Sequence, residues 1–379
     1  MRILYVASDQ TLPGETGGSV HVHEISEELS KRGHEVHAVV RDQGEAHPTD
    51  SGYSIHRIRW APSHRFFRFR ARPQIADLIQ RLKPDVLMER YYNFGGEGIL
   101  SAEAAHIPSL LEVNSPVVDH PGSMKAALDT LLITRPMRRY RERLARSASA
   151  LISPIKEIVP EFARAKTHVV TWGANIDAFH PGKRSETRRL SWGASAETCV
   201  VLFSGSHRSW HGVDTLRAAA RRLKDNKAVV FVLAGGEHKG VATDFRGHLL
   251  GRTPYRDMPE VTASADLSVA PYDRSQLASL KLGFFWSPLK VFEALASGVP
   301  MITLDIPPLH DIVRADQEGV FFKENDAEDL ARVISSLASD RERRLLMGRN
   351  ARARAPHFSW AAHAAQVESI LEGIRAVCE

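Results

Sequence analysis

The chain has 379 residues, of which 43% are hydrophobic and 25% charged, with a formal net charge of +5. That length exceeds one domain of roughly 150 residues and predicts two, in the composition range of an ordinary soluble globular protein. Two cysteines, Cys199 and Cys378, exclude a disulfide framework and give no metal-ligand spacing, and no apolar run approaches the roughly 18 residues that span a bilayer.

The N-terminal "MRILYVASD" carries one basic residue and an apolar run too short for a signal peptide, so it reads as a first strand and the protein as cytoplasmic. The Gly-rich "LPGETGGSVHVHE" then opens a helix at Ser19, with Val22, Ile25, Ser26 and Leu29 at helical spacing, and Gly33 ends it before the strand "HEVHAVV". The basic "SHRFFRFRARP" (63–73) is open to two readings, an acceptor or membrane-surface loop and, in preference, a surface helix packing Phe66, Phe67 and Phe69 inward. "DVLM", "SLLEV" and "ASALIS" are further strands, and "RPMRRYRERLAR" (135–146) is a solvated helix face. After "VVTWGANIDAFHP", a linker without helical period, the rhythm restarts. "TCVVLFSG", a helix from about Gly212 to Leu223, "AVVFVLAGG", "DLSVAPY" and "PMITL" follow in turn. Such alternation predicts two doubly wound parallel α/β sheets, with a ligand cleft between them at the carboxyl ends of the strands.

Four stretches carry residues suited to chemistry. Gly17 and Gly18 sit before a helix, where bare backbone and free N–H groups favour a phosphate. The G-x-G-x-x-G spacing of a nicotinamide site is missing. "SGSHRSWHGVD" leaves a strand through Gly205 and Ser206, with Arg208 as a fixed positive charge and His211 as a partly charged one near neutral pH. In "FFWSPLKVFEALASGVP", Ser287 is a suitable N-cap, Pro288 stands at the first helical position, and Leu289 and Lys290 carry first-turn N–H groups. Glu293 lies among Val291, Phe292 and Leu295; a carboxylate there needs a partner, and a ribose diol or a structural ion pair would serve. The strand "SLLEV" ends at Glu112, with Asn114, Asp119 and His120 in the loop beyond it, and "MERYYNFGG" ends another strand with Glu89 and Arg90.

Taken in order, these stretches resemble the retaining glycosyltransferases of family 4, over essentially the whole chain. The resemblance rests on "GGSVHVHEISEELSKRGHEVHAVV", the "ERY" and "EVN" strand ends, "VVTWGANIDAFHP", "SGSHRSWHGVDTL" and, most strongly, "SPLKVFEALASGVPMIT". It implies the GT-B fold, two facing Rossmann-like domains. The expected limits are 1–178 for an acceptor-binding domain, joined by a returning C-terminal helix at about 362–379, and 179–361 for a nucleotide-sugar-binding domain. The implied reaction moves a sugar from a nucleotide-diphosphate-sugar to an acceptor with retention. Gly17, Gly18, Gly205, Ser206, Ser287, Pro288 and Leu289 would line the donor. Arg208 and Lys290 would stabilise the leaving diphosphate, and Glu293 would hold the ribose.

Three positions depart from the family pattern. His211 stands where a Lys is usual, and Phe285 where a sugar-reading Glu is usual. Near the place of the usual histidine stands Asn114, with His120 as the alternative. His21, Glu89, Arg90 and Glu112 are the acceptor-facing candidates. The chain has no Asp-x-Asp motif, so metal-independent transfer without a cofactor is expected. For lack of a long apolar or amphipathic anchor, the favoured acceptor is a small metabolite, with a polysaccharide or lipid-linked intermediate as alternative and peripheral membrane contact left open. Nucleic acid has no motif in its favour. A nucleotide-sugar epimerase and a non-catalytic nucleotide-sugar-binding subunit are the rival readings.

Overall fold

The computed structural model describes residues 1–44, 51–62, 65–92, 95–120, 122–132 and 134–377. The chain forms two compact units, one of Met1–Trp172, Ala278–Ser287 and Trp360–Glu379, the other of Gly173–Leu277 and Pro288–Ser359.

The first unit holds a seven-stranded, all-parallel sheet: β1 (Arg2–Ala7), β2 (Glu35–Arg41), β3 (Ser54–Ile58), β4 (Val86–Tyr91), β5 (Ser109–Val113), β6 (Ala150–Ser153) and β7 (Thr167–Val169). Their order is β3-β2-β1-β4-β5-β6-β7, so the winding reverses between β1 and β4. Beyond Arg2, strand β1 is apolar on both faces because helices cover both; Ile3 to Ala7 are all fully buried. Among the described residues, helices punctuate the strands: α1 (Gly17–Lys31), α2 (Arg72–Leu82), α3 (Glu97–Ala104), α4 (Met124–Leu131) and α5 (Pro136–Ser147). The C-terminal helix Trp360–Ala376 joins this unit, with Ala364, Val367 and Leu371 in one core with Val22, Ile25 and Leu29 of α1.

Two local expectations need correction. Helix α1 begins at Gly17 rather than Ser19, because the Thr16 hydroxyl accepts from the Ser19 N–H and caps it there. The segment Arg65–Ala71 is a 3-10 helix whose inward residue is Arg68, not Phe69, which is exposed. Arg68 lies 2.8 Å from Glu97 and donates to the Tyr92 carbonyl and the Ser8 hydroxyl, so its charge is fully partnered inside. The Phe66 side chain and Cys378 lie outside the described part of the chain.

The second unit holds β8 (Cys199–Ser204), β9 (Val229–Ala234), β10 (Lys239–Val241), β11 (Gly247–Gly251), β12 (Leu267–Ala270), β13 (Met301–Leu304) and β14 (Gly319–Phe322). Their order is β10-β11-β9-β8-β12-β13-β14, parallel except for β10 against β11, and the winding reverses between β8 and β12. Both units are thus doubly wound α/β sheets of Rossmann type. Cys199 is a core residue of β8, its thiol pushed up to about 12 chiefly by burial.

Candidate functional site

Each unit has its own switch point, where loops leave neighbouring strands in opposite directions. In the second unit β8 runs out at Ser204 into Gly205, Ser206, His207 and Arg208, and a short 3-10 turn, Ser209–His211, leads to Gly212 and the helix Val213–Arg222. Gly212 has φ +67°, and a Cβ there would fall 1.7 Å from the Pro271 carbonyl oxygen just beyond β12. Only glycine permits that approach.

Gly205, at φ +136°, makes room for Lys290; a Cβ on it would stand 2.8 Å from the Lys290 Nζ. Lys290 lies on the first turn of the helix Leu289–Ala296. Its ammonium is buried and has no hydrogen-bond partner among the described residues, although the residue as a whole is partly exposed. It lies 4.4 Å from the centre of the Phe203 ring and 5.3 Å from that of Tyr272, and ring faces attract a cation without neutralising it. Burial lowers the Lys290 pKa to about 7, and the Glu293 charge opposes that shift. Glu293 is itself buried on the same helix.

His211 is also buried, 3.7 Å from the Trp210 ring centre. Burial first, then the Lys290 charge, pushes it down to about 3, so it is neutral at physiological pH. Its Nδ1 faces the Ser206 carbonyl oxygen, which assigns the proton to Nδ1 and leaves Nε2 an acceptor. The partly charged histidine expected here is therefore a neutral one. Arg208 is exposed, and its guanidinium has no hydrogen bond or ion pair among the described residues.

The helix Leu289–Ala296 is capped by Pro288, which has no side-chain acceptor, and not by Ser287. The Ser287 hydroxyl instead accepts from the Trp172 N–H at 3.2 Å. The helix start thus keeps first-turn N–H groups without a side-chain cap, an arrangement favourable to an anion. Ser287 and Phe285 belong to the first unit, where Phe285 packs 5.4 Å from Trp286. Neither is grouped with Lys290, Gly205, Ser206, His211, Leu289 and Glu293 in the second unit.

In the first unit Gly17 and Gly18 form the opening turn of α1, and a Cβ on Gly18 would lie 2.5 Å from the Gln10 amide oxygen. His21, on the next turn, is fully buried and stacked on Trp172 with ring centres 4.4 Å apart. Its Nε2 stands 2.8 Å from a Glu112 oxygen. Glu112 also accepts from the Tyr5 hydroxyl at 2.6 Å and from the Asn114 amide at 2.8 Å. Burial raises the Glu112 carboxyl, but His21, then Arg90 and the Tyr5 hydroxyl, outweigh it and hold the group well below the carboxylate range. Arg90 pairs with Asp9. Across Trp172 and Trp360, His363 donates from Nδ1 to the Thr171 carbonyl, and burial lowers it to about 4.

Glu89 is placed elsewhere. Successive strand residues point to opposite faces, so Arg90 turns toward Glu112 while Glu89 turns toward α3. There it accepts from the Gly96 and Ile99 N–H groups, and burial with Glu97 nearby raises it to about 8. Glu89 is a helix-capping group, and both it and His21 are fully enclosed, so the acceptor contact expected of each needs correction on that ground. His120 lines a separate cavity of about 430 Å³ with Gly122, Ser123 and Met124. Sequence reasoning missed Tyr5, Asp9, Trp172, Trp360 and His363 in this unit, and Phe203 and Tyr272 in the other. All are residues whose polar or aromatic role depends on a neighbour distant in the chain. Among the described residues no three His, Cys, Asp or Glu side chains gather as a metal site, and no helix is long and apolar enough to cross a membrane.

The chain matches the family model described as Glycosyltransferase Family 4 over residues 16–178 and that described as Glycosyl transferases group 1 over residues 185–354. It is 24% identical over 400 residues to a D-inositol 3-phosphate glycosyltransferase of Corynebacterium aurimucosum, covering 96% of this chain and 92% of that one. It is 24% identical over 319 residues to the sulfoquinovosyl transferase SQD2 of Arabidopsis thaliana, covering 78% of this chain but only 58% of that protein's length. The fold is similar to that of Anabaena HepE in a crystal structure with UDP, at a TM-score of 0.72 and 17% identity, covering 98% of this chain and all of that one.

Proposed function

The chain belongs to the group 1, family 4 glycosyltransferases, and from that premise we propose that it transfers a sugar from a nucleotide-diphosphate-sugar to an acceptor hydroxyl, with retention and without a metal ion. The observation that carries this reading is the buried Lys290 ammonium, unpartnered, at an uncapped helix start and against Gly205. A cation held in that state has unspent capacity for an anion, and a diphosphate satisfies it together with the first-turn N–H groups.

In the proposed reaction the bond from the anomeric carbon to the diphosphate oxygen breaks, and negative charge develops on the leaving group. Lys290, the helix start and the exposed Arg208 stabilise that charge. The acceptor oxygen bonds to the same face of the anomeric carbon, and its proton passes to the departing phosphate oxygen. Glu293 accepts from the ribose hydroxyls. Neutral His211 offers Nε2 as an acceptor where a charged Lys is usual, so Lys290 and Arg208 carry the phosphate charge between them. In the first unit Glu112, fixed by His21, Tyr5 and Asn114, and the Arg90–Asp9 pair form the acceptor-facing group.

The acceptor has two readings. A small hydroxylated metabolite agrees with the relative that acts on D-inositol 3-phosphate. A lipid-linked acceptor is favoured by one observation: helix α4 is amphipathic and turns its apolar face outward, which supplies the kind of surface whose lack favoured a small metabolite. The test is a thermal-shift panel of UDP-, GDP-, ADP- and dTDP-sugars, UDP-sugars first, followed by transfer assays with and without chelator. Stabilisation by one nucleotide-sugar class and chelator-resistant turnover support the reading; no stabilisation by any, or activity abolished by chelator and restored by a divalent ion, would overturn the corresponding part.

A further inference from the structure

Helix α4 is built inside out. At about 100° per residue, Met124, Ala127, Leu128, Leu131 and the C-capping Leu132 share one arc of roughly 140°. A surface helix normally presses such an arc onto the core. Here Met124 is 79% exposed, Leu131 78%, Leu132 48% and Leu128 46%. The residue turned inward is Asp129, which is buried and accepts from the Met137 and Arg138 N–H groups at 2.8 and 2.7 Å, capping α5. Rolling α4 over to bury its leucines would strip α5 of that cap, so the outward face is held in place by a polar anchor.

Next to this apolar face the chain concentrates its positive charge. From Met124 to Ser147 there are seven basic and two acidic side chains, a net +5 that equals the formal charge of the whole protein. Arg135 and Arg139 are exposed and have no ion-pair partner among the described residues. Arg138 and Arg143 pair only with the carboxylates of Glu142 and Glu103, near the surface, where such pairs are weak. Arg146 lies 3.9 Å over the ring of Phe162, itself 42% exposed.

We propose that α4 and α5 form a docking surface for an anionic lipid bilayer, with Met124, Leu128, Leu131 and Leu132 entering the interface and the arginines engaging lipid phosphates. An outward apolar arc supplies the hydrophobic contribution, and the arginines supply lipid selectivity. Neither alone gives stable binding to a neutral surface.

The experiment is co-sedimentation of the full chain with phosphatidylcholine vesicles, with and without phosphatidylglycerol, for wild type, Leu128→Ser/Leu131→Ser and Arg135→Ser/Arg139→Ser. Wild type should sediment with the anionic vesicles and much less with the neutral ones, and binding should weaken with salt. Near an anionic surface each basic residue is worth about fivefold in partitioning, so the arginine pair should lose about thirtyfold. The leucine pair should lose binding with only a small drop in melting temperature, since Leu131 is 78% exposed and Leu128 46%, and the remaining cost is one of helix propensity. Wild type left in the supernatant with anionic vesicles, or a leucine variant that binds as wild type does, overturns the proposal. So does a concentration-dependent dimer that the leucine pair abolishes while vesicle binding is absent, since the face would then join two copies. Vesicle binding needs no turnover, so its failure leaves the glycosyl-transfer reading intact.

Discussion

If Lys290 waits half-deprotonated for a diphosphate, donor binding must take up a proton. With its pKa at about 7 in the free protein, about half of the molecules carry the ammonium at pH 7, and about one in ten at pH 8. A bound diphosphate returns the group toward its ordinary value of about 10.4, so binding should take up about half a proton at pH 7 and about nine-tenths at pH 8. Affinity should therefore fall about fivefold from pH 7 to pH 8, but only about twofold from pH 6 to pH 7. The ligand should be an intact nucleotide-sugar, whose phosphates have no proton to lose in this range. Calorimetry in buffers of different ionisation enthalpy reads the proton directly. Lys290→Met should abolish the pH dependence along with most of the affinity. It should also raise the melting temperature of the free protein. A lysine held below its unfolded pKa destabilises the fold most at and below pH 7, and stability recovers as pH rises toward 10, so removing the charge removes that cost. An affinity flat between pH 6.5 and 8.5, or a methionine variant with the wild-type pH profile, would refute the assignment.

Gly212→Ala should destabilise the protein by at least about 2 kcal/mol, since alanine resists a left-handed backbone and the Pro271 carbonyl occupies the place of its Cβ; calorimetric melting reads this, and an unchanged melting temperature would refute the crowding. Glu293→Ala should raise the donor KM more than it lowers kcat, and an unaltered KM would remove the ribose role. His211 and His363 are held neutral, with values near 3 and 4, so the unfolded chain binds more protons below about pH 6.5 and stability should fall as pH drops from there toward 4. His363→Gln should flatten part of that decline in a pH series of melting temperatures; an equally steep decline would show that His363 does not contribute to it.

Much of the architecture was legible because strand and helix periods are local. The runs "RILYVA" and "CVVLFS" announce buried parallel strands without help from any other segment, whereas β3, β7, β10, β11 and β14 are short or polar and depend on a neighbour for their pairing. The loop at Gly205 and the helix bearing Lys290 and Glu293 were legible for a similar reason: glycine at a strand exit, and Lys290 with Glu293 on one helix face, are short-range facts.

The sequence by itself determined which residues share a strand, a turn or a helix face, because those relations span a few residues of regular backbone. The tertiary structure decided which face meets protein. It sent Glu89 under α3 and its neighbour Arg90 toward Glu112, drew Arg68 inward instead of Phe69, and gave the Ser287 hydroxyl to the Trp172 N–H instead of a helix start. It also turned the leucines of α4 to water, because Asp129 was needed to cap α5. Each outcome was set by a partner outside the residue's own strand, turn or helix, from seven residues away for Glu89 to 115 for Ser287, and a periodicity cannot name that partner.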